Sequence, residues 1–68
     1  MKITYDPDAD AMYIYLKEGK SFKTKEVDEN TILDYDSKGN VIGIEILFVK
    51  ERMPQLLKEF RVENLMAA

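Results

Sequence analysis

"YDPDADAMYIYL", residues 5–16, poses the first question: does a chain with three alternating aspartates curl around a cation, or turn back between two strands? A calcium loop of the EF-hand kind needs oxygen ligands at positions 1, 3 and 5, a glycine at 6 and a bidentate glutamate at 12. Asp6, Asp8 and Asp10 supply the first three, but Ala11 stands at the glycine position and Lys17 at the glutamate position. A lysine there repels the ion instead of closing its shell. Strand alternation also begins at Ala11, so the chain extends where a loop would curl. Pro7, by contrast, presets φ for the second position of a turn. Asp6 before it can accept a hydrogen bond from a backbone N–H two residues on, and Asp10 can cap or end the turn in the same way. The stretch predicts a hairpin connection.

Strand signals flank that turn on both sides. "KITY" alternates Ile3 and Tyr5 against Lys2 and Thr4, and "AMYIYL" sets Met12, Ile14 and Leu16 opposite Ala11, Tyr13 and Tyr15. "KEGK" reads as a turn, and the lysine-rich "FKTKEV" reads as an edge strand, where flanking charge discourages further pairing. "TILDYD" places Leu33 and Tyr35 on one face. "DSKGN" is the clearest local signal, with Gly39 supplying the positive φ of a hairpin loop built on a type I turn. "VIGIEILF" then aligns Ile42, Ile44, Ile46 and Phe48, with Val41 and Leu47 opposed to them.

From Lys50 the period changes. Met53, Leu56, Leu57 and Phe60 recur at spacings of three and four, the stripe of a helix. Pro54 suits a first helical turn, where its missing N–H costs nothing. A helix is expected over residues 54–60, with 50–53 leading in as a loop or a helical turn. Residues 1–68 are therefore expected to form a single small α+β domain. Its antiparallel β-sheet would be a meander of about five strands, with the C-terminal α-helix packed on one face. The expected core is Ile14, Ile44, Ile46 and Phe48 against Leu56 and Phe60.

At 68 residues the chain has room for one domain, and domains this small bury only about 60% of their unfolded surface. Disulfides and thiolate metal sites are excluded by the absence of cysteine, and the absence of histidine removes the usual zinc ligand and the commonest general base. Hydrophobic residues at 46% predict folding rather than disorder. The net charge of −3 argues against nucleic-acid binding. No apolar run approaches a membrane span, and the N-terminal residues lack the apolar core of a signal peptide, so a cytoplasmic chain is expected.

The candidates for chemistry are sparse. Asp34, Asp36 and Glu45 fall on neighbouring strands, and alternate residues on one strand face lie about 7 Å apart, a spacing some inverting glycosidases use. Those enzymes also need a cleft and one carboxyl in an apolar pocket, which a small sheet with one helix hardly builds. A solvated acidic face is the simpler reading, as a solvated edge is for Lys17, Lys20, Lys23 and Lys25. Three isolated glycines make no phosphate loop, and Gly43 inside a strand marks a bulge or a close backbone approach. No catalytic set, cofactor site or metal site is expected.

Tyr13 and Tyr15 oppose the face that Met12, Ile14 and Leu16 turn to the helix. With Leu47, and with Val62, Leu65 and Met66 beyond the expected helix, they would leave more apolar surface in water than small monomers usually show. Tyr13, Tyr15, Leu47, Val62, Leu65 and Met66 form the candidate interface, covered in a homodimer or by a small partner protein.

"YDPDADAMYIYL" together with "EVDENTILDYDSKGNVIGIEIL" closely resembles the small prokaryotic family catalogued as domain of unknown function 2283. Its Tyr-Asp-Pro-x-x-Asp-x-x-Tyr opening is carried here by Tyr5, Asp6, Pro7, Asp10 and Tyr13. Its Leu-Asp-Tyr-Asp, Gly and Gly-Ile-Glu-Ile elements are carried by residues 33–36, Gly39 and residues 43–46. The resemblance covers most of residues 1–48 and implies no assigned activity. Some members look like partners of toxin genes, which implies an antitoxin-like, non-enzymatic interaction module. The alternative is a small divalent-metal-dependent or acid–base site built on the clustered Asp and Glu residues.

Overall fold

A computed structural model describes residues 1–59 and 61. Five strands run through them: β1 (Lys2–Asp6), β2 (Ala11–Tyr15), β3 (Lys23–Asp28), β4 (Thr31–Tyr35) and β5 (Val41–Leu47). A single α-helical turn, α1 (Val49–Arg52), and a 3₁₀ turn (Pro54–Leu57) follow. Every pairing is antiparallel, and the spatial order is β1-β2-β5-β4-β3. Sequential pairing thus holds within β1–β2 and within β3–β4–β5. The step from β2 to β3 leaves it, and β5 is inserted between β2 and β4.

The first hairpin forms as its turn chemistry predicts. The backbone N–H of Asp8 donates to Asp6 Oδ1 at 3.0 Å and that of Ala9 to the same oxygen at 3.4 Å. The β4–β5 turn uses the same device. Asp36 Oδ1 accepts from the N–H groups of Lys38 and Asn40, both at 2.9 Å, and Gly39 sits at φ +85° as the sequence predicts. The Asn40 N–H is the main reason the Asp36 carboxyl titrates below its usual range.

The crossing from β2 to β3 follows the end of β5. The N–H groups of Leu16 and Lys17 both donate to the Ile42 carbonyl, at 2.9 and 3.3 Å, and Phe22 N–H reaches the Tyr35 carbonyl at 2.8 Å. Ile42 is where the ladder slips. Asp34 opposes Gly43 but Tyr35 opposes Val41, so Ile42 is the extra residue of a bulge. The slip moves Val41 to the face of Tyr35 and Leu33, away from Leu47, with which it was expected.

Register divides the side chains into two faces. Ile3, Tyr5, Met12, Ile14, Leu33, Ile44 and Ile46 share one, and Lys2, Thr4, Tyr13, Tyr15, Asp34, Glu45 and Leu47 the other. The buried hydrophobic residues are Met12, Ile42 and Val49. Ile14, Ile44 and Ile46 are only half-buried, and Phe48 is 43% exposed. The expected core is corrected accordingly, and two features of the chain explain why. Phe48 adopts φ +58°, which takes it out of strand alternation and starts α1 at Val49. The helical segment then breaks at Met53 (φ −138°, ψ 58°), because a residue before proline is driven out of the helical region. One α-turn and one 3₁₀ turn replace the expected helix over 54–60. Phe60 lies outside the described residues.

Truncation should follow the observed burial. Met12→Ala should cost about 2–5 kcal/mol, as for a well-packed core residue, and Ile44→Ala distinctly less. Urea unfolding of both variants checks the order, and a larger loss for Ile44→Ala would put the packing centre on β5 instead.

Candidate functional site

Two groups of polar side chains depend on the strand order. The first lies at the β1–β2 turn. Asp10, at φ +51°, accepts on Oδ1 from the Tyr5 hydroxyl at 2.7 Å and from the Lys50 N–H at 2.8 Å, while its carbonyl accepts from the Val49 N–H at 3.2 Å. The third aspartate of the opening stretch therefore satisfies the free N–H groups at the start of α1, forty residues on, instead of closing its own turn. The Lys50 N–H is the main cause of its lowered pKa, and the shared hydrogen bond raises that of Tyr5. With Asp6 holding the turn and Asp10 holding α1, the aspartates act on backbone donors. Among the described residues, no three Asp, Glu, His or Cys side chains converge to hold a metal ion.

The second group crosses the whole sheet on the face of Tyr13. Lys2 on β1 sets its ammonium 4.5 Å over the Tyr15 ring. The rings of Tyr15 and Tyr13 meet tilted at 50°, with centroids 4.5 Å apart. The Tyr13 hydroxyl reaches over β5 and donates to Asp34 Oδ2 on β4, and the Thr24 hydroxyl on β3 donates to Asp34 Oδ1 at 2.9 Å. One continuous strip thus joins side chains from β1, β2, β4 and β3.

Gly43 is the gap in β5 that allows this passage. A Cβ placed there would collide with the Tyr13 hydroxyl and lie 2.6 Å from Cζ and 2.8 Å from Cε1. The glycine is buried beneath the ring. The glycine inside a strand predicts a bulge or a close backbone approach; the bulge falls one residue away at Ile42, and what lies close to Gly43 is the Tyr13 ring. The membership of Lys2, Thr24 and Asp34 in a shared strip was not foreseen. Tyr13 and Asp34 are twenty-one residues apart, and only the β5 insertion brings them together.

The strip keeps its central phenol protonated. Desolvation, the bond to Asp34, and the charges of Asp34 and Glu45 push the Tyr13 pKa up to about 12. At neutral pH its phenol is a held proton donor and a poor general base. Asp34 and Glu45 share this face, but Asp36 sits apart in the hairpin turn, 3.9 Å from the Lys17 ammonium. The candidate trio of carboxylates, set aside in the sequence for a solvated acidic face, is not assembled. Of the candidate interface, Tyr13, Tyr15 and Leu47 do share one face, with Tyr13 and Leu47 half-buried and Tyr15 40% exposed. Val62, Leu65 and Met66 lie outside the described residues.

Two outcomes follow from this geometry. Gly43→Ala should cost about 1–3 kcal/mol by overpacking, and the cost should shrink when Tyr13 is also Ala, a coupling that a double-mutant cycle of urea midpoints measures. Alkaline titration should show the sign of the Tyr13 shift. Its folded pKa of about 12 exceeds the unfolded value of about 10, so the phenol's contribution is complete below the unfolded value and disappears as pH rises to 12. Tyr13→Phe should flatten this part of the stability profile.

No solved structure matches the chain. An uncharacterised protein, MJ0789, of Methanocaldococcus jannaschii is 43% identical over 47 residues, which cover 69% of this chain. That matched stretch spans only 40% of the relative's own length. A family described as protein of unknown function (DUF2283) matches residues 2–50, from β1 to the start of α1. Asp10, Tyr13, Asp34 and Gly43 all fall within that range, and the chain belongs to the DUF2283 family.

Proposed function

We propose that this domain is a non-enzymatic protein-interaction module of the cytoplasm, and that its docking surface is the sheet face bearing Tyr13, Tyr15 and Leu47. The observation that carries the reading is the strip itself. Two tyrosine rings stand half-open on a sheet face, fixed from both sides by Lys2 and Asp34. Rigid tyrosines with polar tips supply large contact area at little entropic cost, and they are enriched at the centres of protein interfaces. The held phenol of Tyr13 donates to a neighbouring aspartate, which is an arrangement for positioning and not for turnover. A cysteine-free chain suits a reducing compartment. The family resemblance adds a small toxin-like protein as one kind of partner, and the shortage of buried core adds a second copy as the other.

A photo-crosslinking amino acid at Tyr15 or at Leu47, with Lys25 on the opposite face as control, tests the surface inside the host cell. The expected result is one discrete adduct from the first two positions and none from the third. Its mass separates a second 7.9 kDa chain from a different partner. Equal labelling from all three positions, or an adduct confined to the same chain, would remove the assignment.

A further inference from the structure

The sheet has two edges, and they differ. β3 is exposed along its whole length, carries Lys23, Lys25, Glu26 and Asp28, and bulges at Val27, where Glu26 opposes Ile32 but Asp28 opposes Thr31. Charges and a bulge are how sheets keep an edge from pairing. β1 has neither a bulge nor an interior charge. Its register to β2 is unbroken, Ile3 and Tyr5 are half-buried, and its charges are confined to Lys2 and Asp6 at its ends.

We propose that β1 is a homodimer seam, where a second copy adds its own β1 antiparallel about a two-fold axis through Thr4. Symmetry limits the registers sharply. A two-fold axis that pairs edge strands antiparallel stands perpendicular to the sheet, so every residue keeps its face, and only residues of one face can sit opposite each other. In "KITYD" the register centred on Thr4 obeys this rule and matches every pair. Lys2 faces the second copy's Asp6, Ile3 faces its Tyr5, and Thr4 faces its own equivalent. Both ends carry opposite charges, and the apolar pair extends the layer that Met12 and Ile14 continue.

β3 is the poorer edge. Lys25 and Glu26 lie on opposite faces and cannot pair, and although the bulge at Val27 brings Lys25 and Asp28 to one face, that bulge breaks the ladder a second copy would extend. On β1, Lys2 would reach the seam from its place over the Tyr15 ring. Asp6 holds its turn through Oδ1 among the described residues, and Lys2 lies on the same face as Asp6. The need for association comes from the core, in which only Met12, Ile42 and Val49 are buried hydrophobics among the described residues. This seam does not rest on the docking surface proposed above, and that face stays open in the dimer.

The chain has no cysteine, so a single introduced one reports the seam directly. Residues opposite each other in antiparallel strands have Cα atoms about 4.5–5.5 Å apart, within disulfide range. Under mild oxidation at micromolar concentration, Thr4→Cys should become a covalent dimer, whereas Thr24→Cys on β3 should stay monomeric. Sedimentation gives a second arm. Lys2→Glu sets acid against acid at both ends and should weaken the dimer by roughly tenfold. Asp6→Lys should do the same, and an equimolar mixture of the two variants should recover association as a heterodimer. Recovery on mixing separates a lost charge match from a lost fold, and the cysteine arm decides the matter if Asp6→Lys unfolds. Failure of Thr4→Cys to cross-link faster than Thr24→Cys, or a mass of 7.9 kDa for the unaltered chain at high micromolar concentration, would overturn the seam.

Discussion

The hydrogen bond from Tyr13 to Asp34 passes over a strand that has no side chain at the crossing point, and much of the sheet depends on that passage. β1–β2 and β3–β4–β5 are locally formed units, each closed by short turns. Among the described residues, the only strand pairing between them is β2 with β5, far apart in the chain, and loop closure makes such a contact entropically costly. Tyr13 reinforces this seam by reaching past β5 to β4. Asp10 reinforces it at the far end, by joining the first hairpin to the start of α1 just beyond β5. A tyrosine and an aspartate from one unit thus each bond to groups of the other.

This division of labour explains why so acidic a small chain yields no obvious catalytic cluster. Asp6 and Asp36 organise turns, Asp10 organises a helix start, and Asp34 receives two hydroxyl groups. Each carboxylate meets backbone or hydroxyl donors that would otherwise face water or remain unpaired. With only three buried hydrophobic residues among those described, these local bonds carry a larger share of the specificity than they would in a larger domain. The family motif is, on this view, a record of the bonds that hold two hairpin units together.

Strand positions and turns were legible in the sequence because they depend on neighbours. Asp6 with Pro7, and Asp36 with Gly39, determine local geometry within a few residues, and both turns form as read. The two sheet faces were legible for the same reason, since alternation has a period of two. Strand order was not, because alternation says which face a residue takes and nothing about which strand lies beside it. The insertion of β5 then carried the strip with it. The helix was misjudged at a single residue. The spacing of Met53, Leu56 and Leu57 matched a helical stripe, but the backbone restriction before Pro54 divided it into two short turns. Gly43 was the one available sign of the site, since a glycine deep in an apolar strand needs a reason, and a tyrosine ring over it supplies one.

The face and the edge make separate demands on the sequence, and β1 serves both. Lys2 lies on the tyrosine face, where it caps the Tyr15 ring, and on the edge strand β1, which pairs only with β2 among the described residues. An axis perpendicular to the sheet keeps every residue on its own face, so two copies joined along β1 would present both tyrosine strips on the same side. The strips would meet across the paired Lys2 and Asp6 side chains, and a partner long enough to span them would engage both. A second contact made within one assembly gains from effective concentration without any new chemistry. A domain with so little core can therefore gain stability and binding strength from one five-residue strand, provided that the strand's ends carry opposite charges and its centre is neutral. "KITYD" meets both conditions.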